Sequence, residues 1–244
     1  MPSNFIKENQ MLIEQVAAAF DDLLDHVVFL GGVTTSLLVD HAAVGAVRKT
    51  EDVDVIADLV SRPDYYAFCD AFCEKLRAKG FREDRTDDAP LCRWIVSKGG
   101  VDYIVDVMPC DESILGFANI WYPEAIKAPD RVALSNGIEI NVVTPLLFLA
   151  TKFEAFHGRA SGNYFSKDME DIVFVLEHRS SLMNEFLDGS ENIRAYIGRQ
   201  AAMLLQSEFR NVLPGLVDDD GSFKSVYRLL ALMAKHGGQN SGHL

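Results

Sequence analysis

The chain has 244 residues, of which 48% are hydrophobic, and its formal net charge is −13. A chain of this length buries close to three quarters of its unfolded surface, enough for one large domain or two small ones. No apolar run reaches the roughly 18 residues that span a bilayer, and residues 1–10 lack a signal-type apolar core. We therefore predict a cytoplasmic protein with no membrane partner, and the negative charge argues against extensive DNA binding.

The first part of the chain alternates predicted strands and helices. Glycine turns at 98–100 and at 136–137 join two pairs of strands into hairpins, so the predicted sheet is mixed rather than a parallel Rossmann sheet. The predicted elements are a helix over 8–25, strands over 27–30 and 52–56, a helix over 63–79, strands over 91–97 and 101–108, and strands over 131–135 and 138–142.

From Pro145 onward the apolar pattern is helical. We place a domain boundary near residue 143, with a mixed-sheet catalytic domain over 1–143 and a helical domain that completes a cleft over 144–244. The predicted fold class is α+β. The predicted helices cover 145–157, 166–178, 181–187, 193–207 and 223–235.

Metal-binding cysteine motifs are absent from the sequence, since no Cys-x-x-Cys spacing or companion histidine cluster occurs. We expect the cysteines to be small core residues rather than zinc ligands. We expect His26, His157 and His178 to satisfy local hydrogen bonds. The cysteines are Cys69, Cys73, Cys92 and Cys110.

Two carboxylates stand a pleat apart in the predicted strand over 52–56. Successive side chains of a strand point to opposite faces, so Asp52 and Asp54 share one face while Val53 and Val55 are buried behind them. Such a pair is a hard oxygen site for Mg²⁺ or Mn²⁺, which substrate phosphates complete. Upstream, a glycine turn follows a buried strand at Gly31-Gly32 and presents backbone N–H groups to an anion.

These residues resemble the nucleotidyltransferases of the DNA polymerase β superfamily, and within it the bacterial AbiEii-type group, known chiefly as toxins of toxin-antitoxin systems. The resemblance spans roughly residues 27–175. It implies Mg²⁺-dependent transfer of an NMP group from an NTP to a hydroxyl acceptor. The segments that carry it are 29–32, 48–55, 105–109 and 152–171.

A third carboxylate is expected on an adjacent strand, and two candidates exist. Asp102 and Asp106 are four residues apart, so both face the same side as Asp52 and Asp54 in a regular strand. The resemblance in Val-Asp-Val-Met-Pro favours Asp106 as catalytic residue and metal ligand, with Asp52 and Asp54.

Several residues are candidates for nucleotide contacts besides Gly31 and Gly32. Hydroxyls of Thr34, Thr35 and Ser36 follow the glycine turn, and the resemblance favours Ser36. Arg48 either contacts phosphate or pairs with Glu51 or Asp52.

Further nucleotide-binding candidates lie in the helical part. Lys152 and Arg159 share a helical face if the helix continues past Gly158, and they either neutralise a triphosphate or form a solvated face. The resemblance adds Lys167 and Asp168, with Asp171 in a structural role.

An aromatic segment over 115–122 resembles a loop of related proteins. Its Trp121 and Tyr122 either stack on a base or pack in the core.

The acceptor remains open at this point. The resemblance implies RNA such as a tRNA end, or a protein hydroxyl, with a cognate antitoxin as a further partner. A small-molecule acceptor of the antibiotic type and a nucleotide-binding module without turnover are the alternatives.

Overall fold

The computed structural model describes residues 5–40, 48–57, 65–110, 112 and 118–237, with the backbone alone over 65–70. Within the chain two compact units form. The first comprises Met1–Ser36 and Gly45–Thr144, and the second comprises Leu37–Val44 and Pro145–Leu244.

One seven-stranded sheet organises the first unit. Its strands are β1 (Val27–Leu30), β2 (Asp52–Ala57), β3 (Phe81–Glu83), β4 (Arg93–Lys98), β5 (Val101–Pro109), β6 (Asp130–Ala133) and β7 (Glu139–Val142). Their order across the sheet is β3-β4-β5-β2-β1-β7-β6. β1 is antiparallel to β2 and parallel to β7, and β2 is parallel to β5, so the sheet is mixed as predicted.

Both predicted hairpins are confirmed, because β4 pairs with β5 and β6 pairs with β7 in antiparallel registers. The α+β fold class is confirmed as well. The sequence did not predict β3, because three residues are too few to show the alternation of polar and apolar side chains that indicates a strand.

Among the described residues, four α-helices belong wholly or partly to this unit: α1 (Phe5–Phe20), α2 (Thr35–Leu38), α3 (Tyr65–Ala78) and α4 (Tyr122–Lys127). The helix predicted over 8–25 ends early, since Asp21 takes a left-handed φ of 52° and a 3₁₀ turn follows. In the core, the Phe20 ring lies 6.1 Å from that of Phe29 and 5.0 Å from that of Phe81. This cluster seats α1 on the sheet.

Helices alone make up the regular structure described in the second unit. They are α5 (Pro145–His157), α6 (Lys167–His178), α7 (Leu182–Asp188), α8 (Glu191–Gln206), α9 (Phe209–Val212) and α10 (Asp220–Gly237). The hydroxyl of Ser166 accepts a hydrogen bond from Met169 N and thereby caps α6. α9 was not predicted, because a single turn carries too little periodicity to stand out.

Among the described residues, no helix is both long enough and apolar enough to cross a membrane. Cys92 and Cys110 are buried, as expected for core residues. Burial raises the pKa of the Cys92 thiol to about 12, so it stays protonated at neutral pH and is a poor metal ligand. The side chain of Cys69 lies outside the described residues.

Candidate active site

Three carboxylates lie on one face of the central strands of the first unit. Asp54 of β2 lies directly opposite Asp106 of β5 in the parallel register, and Asp52 pairs with Ile104. Register partners in adjacent strands share a face, as do residues two apart in one strand. Asp52, Asp54 and Asp106 therefore project from the same side of the sheet, while Val53 and Val55 are fully buried on the other.

Gly31 lies at the end of β1, directly beside Asp54. Leu30 is the register partner of Asp54, and Gly31 continues the chain with φ 78° and ψ −173°. A Cβ atom at Gly31 would lie 1.9 Å from Oδ2 of Asp54, a distance that no side chain tolerates. The glycine thus lets the backbone turn pass directly against the carboxylate.

Hydroxyl groups of the glycine turn have different roles in the structure. Thr34 donates a hydrogen bond to Gly31 O at 2.9 Å, and Thr35 donates to Gly32 O at 2.7 Å. These two hydroxyls therefore close the turn. Ser36 Oγ is buried and finds no hydrogen-bond partner among the described residues, so it retains its capacity for a ligand.

Arg93 of β4 holds the third carboxylate. Its Nε lies 2.8 Å from Oδ1 of Asp106 and its Nη2 lies 2.8 Å from Oδ2, a two-pronged ion pair. The same Nη2 lies 3.5 Å from Oδ2 of Asp52. The hydrogen bonds to Asp106 raise the pKa of Arg93 above its ordinary value, so the guanidinium stays charged.

Asp102, the rival third carboxylate, lies away from β2. Its register partner is Ser97 of β4, whereas the pairing of β2 with β5 begins at Ile104. Its side chain is 55% exposed and forms an ion pair with Arg82 at 2.7 Å. The geometry therefore favours Asp106 over Asp102.

The segment that leads into β2 is fixed by a buried asparagine of α1. Asn9 donates to the carbonyl of Arg48 at 2.9 Å and accepts from Thr50 N at 3.1 Å. Asn9 is fully buried, and Arg48 is half-buried. These two hydrogen bonds of Asn9 fix the segment directly before β2, the strand that carries Asp52.

Charge balance decides whether the carboxylate face suits a divalent cation. Three carboxylates carry a charge of −3 and Arg93 supplies +1, which leaves −2 for a cation such as Mg²⁺ to neutralise. A carboxylate offers about four lone-pair sites, so Asp106 keeps acceptor capacity beyond Arg93. The oxygen ligands are of the kind that Mg²⁺ and Mn²⁺ prefer, although the three carboxylates do not bring one oxygen each to within 4.8 Å of the others in this structure.

A compact quartet of charged residues lies within the helical unit. Lys152 Nζ lies 2.6 Å from Oδ2 of Asp171 and 3.1 Å from Oδ1 of Asp168. Arg159 binds Asp168 with both Nε and Nη2, at 3.0 and 2.7 Å. Burial would raise the pKa of Asp168, but Arg159 and Lys152 outweigh it and hold this pKa below 3.8.

The condition for a shared helical face of Lys152 and Arg159 is not met, because α5 ends at His157, where it was predicted to end. The two cations still meet, since both contact Asp168. Only 7% of the Lys152 side chain is exposed, against 66% for Arg159. Lys167, at the start of α6, is exposed, so this unit offers Arg159 and Lys167 to solvent and encloses Lys152.

Trp121 and Tyr122 are buried at the start of α4, with 7% and 8% exposed. The core interpretation of these aromatic residues is therefore confirmed. The preceding part of the predicted loop, residues 115–117, lies outside the described residues.

Sequence reasoning missed Arg93 and Asn9. A signal for Arg93 existed, because the hairpin turn pairs Lys98 with Val101 and counting back along both strands places Arg93 opposite Asp106. Asn9 carried no such signal, since its partner segment is 39 residues away in sequence.

Comparisons with known proteins identify a family and a similar fold. Residues 16–224 match the family described as nucleotidyl transferase AbiEii toxin, Type IV TA system. One solved structure with a similar fold is an antigenic nucleotidyltransferase-like protein from Paracoccidioides brasiliensis, with a TM-score of 0.50 and 16% identity over 89% of this chain and 96% of that one. No curated protein matches. The family match confirms the resemblance and the prediction of a nucleotidyltransferase enzyme.

Proposed function

Because the chain belongs to the AbiEii nucleotidyltransferase toxin family, we propose that it transfers an NMP group from an NTP to a hydroxyl acceptor, with pyrophosphate leaving. The observation that carries the proposal is the shared face of Asp52, Asp54 and Asp106 beside the Gly31 turn. In-line transfer needs little covalent chemistry from the protein, so positioning and electrostatics dominate.

Each residue of the carboxylate face has a proposed task. Asp52 and Asp54 hold Mg²⁺ or Mn²⁺, which when bound neutralises phosphate charge and polarises the reacting phosphorus. Asp106 orients the acceptor hydroxyl, and Arg93 fixes the orientation of Asp106. Gly31 and Gly32 let the backbone approach the phosphates closely.

Ser36 and Arg48 are the proposed polar contacts to the nucleotide in the first unit. Ser36 is proposed because its buried hydroxyl finds no partner in the described part of the chain. In the helical unit, we propose that Arg159 and Lys167 contact phosphate, since both are accessible. Lys152 and Asp168 complete that nucleotide subsite by holding Arg159 in place.

A macromolecular hydroxyl is the proposed acceptor, either an RNA end such as that of a tRNA or a protein side chain. The family description supports this choice, because a toxin acts on a component that the cell needs. A cognate antitoxin follows as a proposed partner and the cytoplasm as the proposed location. The net charge of −13 favours a locally gripped acceptor over a long stretch of nucleic acid.

The test is incubation of the purified chain with each α-labelled NTP, Mg²⁺, and in separate reactions total tRNA, cell protein or aminoglycosides. We expect label in the RNA or the protein fraction from one preferred NTP. The double variant D52N/D54N should abolish labelling. The matched control is the double variant D87N/D88N, which changes two exposed loop aspartates and should leave labelling intact. Labelling of the aminoglycosides alone would assign a small-molecule acceptor instead.

A further inference from the structure

A second cluster of metal-ligating side chains lies in the helical unit. Glu177 and His178 occupy the end of α6, and Asp218 lies two residues before α10. One ligand atom of each lies within 4.8 Å of the others, and within the described residues no other trio of His, Cys, Asp or Glu does so. His178 Nε2 lies 3.6 Å from Oε2 of Glu177 and 3.7 Å from Oδ2 of Asp218.

The imidazole of His178 has one nitrogen atom that no described residue engages in a hydrogen bond. Its Nε2 atom is buried and makes no hydrogen bond to any described residue, which corrects the expectation of a locally satisfied histidine. By contrast, Nε2 of His157 lies 2.6 Å from Oε1 of Gln200. The Phe174 ring contacts the His178 ring edge-to-face at 4.6 Å and so fixes its direction.

Of the two carboxylates of the cluster, the buried one, Glu177, also requires compensation. Only 5% of the Glu177 side chain is exposed, and its Oε1 accepts a hydrogen bond from Asp218 N at 3.0 Å. That bond holds Asp218 beside Glu177, although like charges repel. In the described part of the chain, neither carboxylate contacts a lysine or an arginine. A buried carboxylate without a cationic partner is costly.

The spacing of the three atoms suits a metal better than direct hydrogen bonds. Separations of 3.6 and 3.7 Å exceed the hydrogen-bonding range. Ligands about 2.1 Å from a tetrahedral ion are roughly 3.4 Å apart, close to the separations observed. An imidazole nitrogen with two carboxylate oxygens favours Zn²⁺ over Mg²⁺, because imidazole is a typical zinc ligand and Mg²⁺ prefers oxygen.

We propose that Glu177, His178 and Asp218 form a Zn²⁺ site, with water as the fourth ligand, that fastens the end of α6 to the segment leading into α10. Asp219, the next residue, accepts a hydrogen bond from Ser222 N at 2.8 Å and so anchors the first turn of α10. The bound metal therefore stabilises the helical unit, at residues distinct from the carboxylate face of the sheet.

The test measures Zn²⁺ binding to the full chain after removal of metal by a chelator. The protein measured is the D52N/D54N double variant, which lacks the competing carboxylates on the sheet. The outcome therefore does not depend on whether the chain has nucleotidyltransferase activity. We expect one tightly bound Zn²⁺ per chain, a rise in Tm on binding, and a nitrogen ligand in the X-ray absorption spectrum.

The variants are H178Q and D218N, with D220N as matched control. Loss of supporting residues around a metal typically weakens binding about 10- to 100-fold, so loss of a ligand should weaken it by at least tenfold. Asp218 is 59% exposed, so D218N leaves the core packing intact. Equal Zn²⁺ affinity in the parent, H178Q and D218N proteins would overturn the proposal, as would an equal loss in D220N.

Discussion

The Cα atom of Gly31 lies directly against the carboxylate of Asp54, so a Cβ atom at position 31 would come within 1.9 Å of Oδ2. Gly31 also has a backbone conformation, φ 78° and ψ −173°, that is almost restricted to glycine. Both the lack of space for a Cβ atom and the unusual backbone angles occur at Gly31, where the proposed phosphate-binding turn contacts Asp54, a proposed metal ligand. The glycine is therefore required for the site as well as for the turn.

Substitution of Gly31 by alanine should abolish nucleotidyl transfer, because Asp54 must move out of the metal-binding position. The strained backbone should also lower the free energy of unfolding by about 1–3 kcal/mol. Urea denaturation and a labelled-NTP assay measure the two effects. The control is Gly137→Ala, whose φ is also positive at 85° but whose Cβ would contact nothing within 4 Å. That variant should lose stability and keep its activity per folded molecule.

Replacing Asp106 by asparagine should reduce transfer by at least about 100-fold, because a developing charge loses its partner in a preorganised site. Asp102→Asn should change the rate less than twofold, since Asp102 lies beyond the paired part of β2. Initial rates of nucleotidyl transfer, measured at saturating Mg²⁺, compare the D106N and D102N variants. The reverse ranking would make Asp102 the third carboxylate.

We predict that nucleotidyl transfer requires the planar guanidinium of Arg93, which binds Asp106 through two nitrogen atoms, as well as its positive charge. Arg93→Lys preserves the charge but loses one of the two bonds to Asp106, so transfer should fall about tenfold. Arg82→Lys is the matched control, because Arg82 pairs with Asp102 in an exposed ion pair of the same sheet. Such surface pairs contribute about 0–1 kcal/mol. A normal rate in R93K would exclude a positioning role.

Lysine 152 should be essential for stability. Lys152→Ala leaves Asp171 and Asp168 buried without this cation, and breaking a buried ion pair typically costs about 3–5 kcal/mol. Lys167→Ala, at an exposed position, should change stability by no more than about 0.5 kcal/mol. Equilibrium urea unfolding compares the two variants. A mild effect of K152A would show that the quartet contributes little.

The pH dependence of stability should report on Asp168. Its folded pKa lies below 3.8, so the unfolded state binds more protons and stability falls as the pH drops through the folded pKa. The contribution is complete above about pH 4. In R159Q the pKa of Asp168 should rise toward 3.8, so this loss should be smaller and should end at a higher pH. Unfolding free energies measured between pH 5 and 2 should show this displacement, and identical curves would contradict it.

An element could be predicted from the sequence when its pattern is contained in one short stretch of residues, whereas contacts between distant stretches could not. β1, β2 and α5 carry their own patterns, and the first and last of these match the predicted bounds of 27–30 and 145–157. The third carboxylate needed the β2 to β5 register, which pairs residues 52 positions apart in the chain, such as Asp54 and Asp106. No local pattern contains that register.

Ion-pair partners were the least predictable part of the site. Lys152 and Arg159 would share a helix face only if the helix continued past Gly158, yet they meet through Asp168 after the helix has ended. His178 was expected to have a routine hydrogen bond, whereas its Nε2 faces two carboxylates. Such contacts depend on packing between helices, which one sequence does not encode in any short window.

The most direct test of the central claim compares α-labelled and γ-labelled forms of the preferred NTP in the presence of Mg²⁺. We predict that the α label becomes attached to the acceptor, that the γ label is released as pyrophosphate, and that both signals disappear in D54N. Transfer of the γ label to the acceptor, or an unchanged α signal in D54N, would contradict nucleotidyl transfer from the carboxylate face of the sheet.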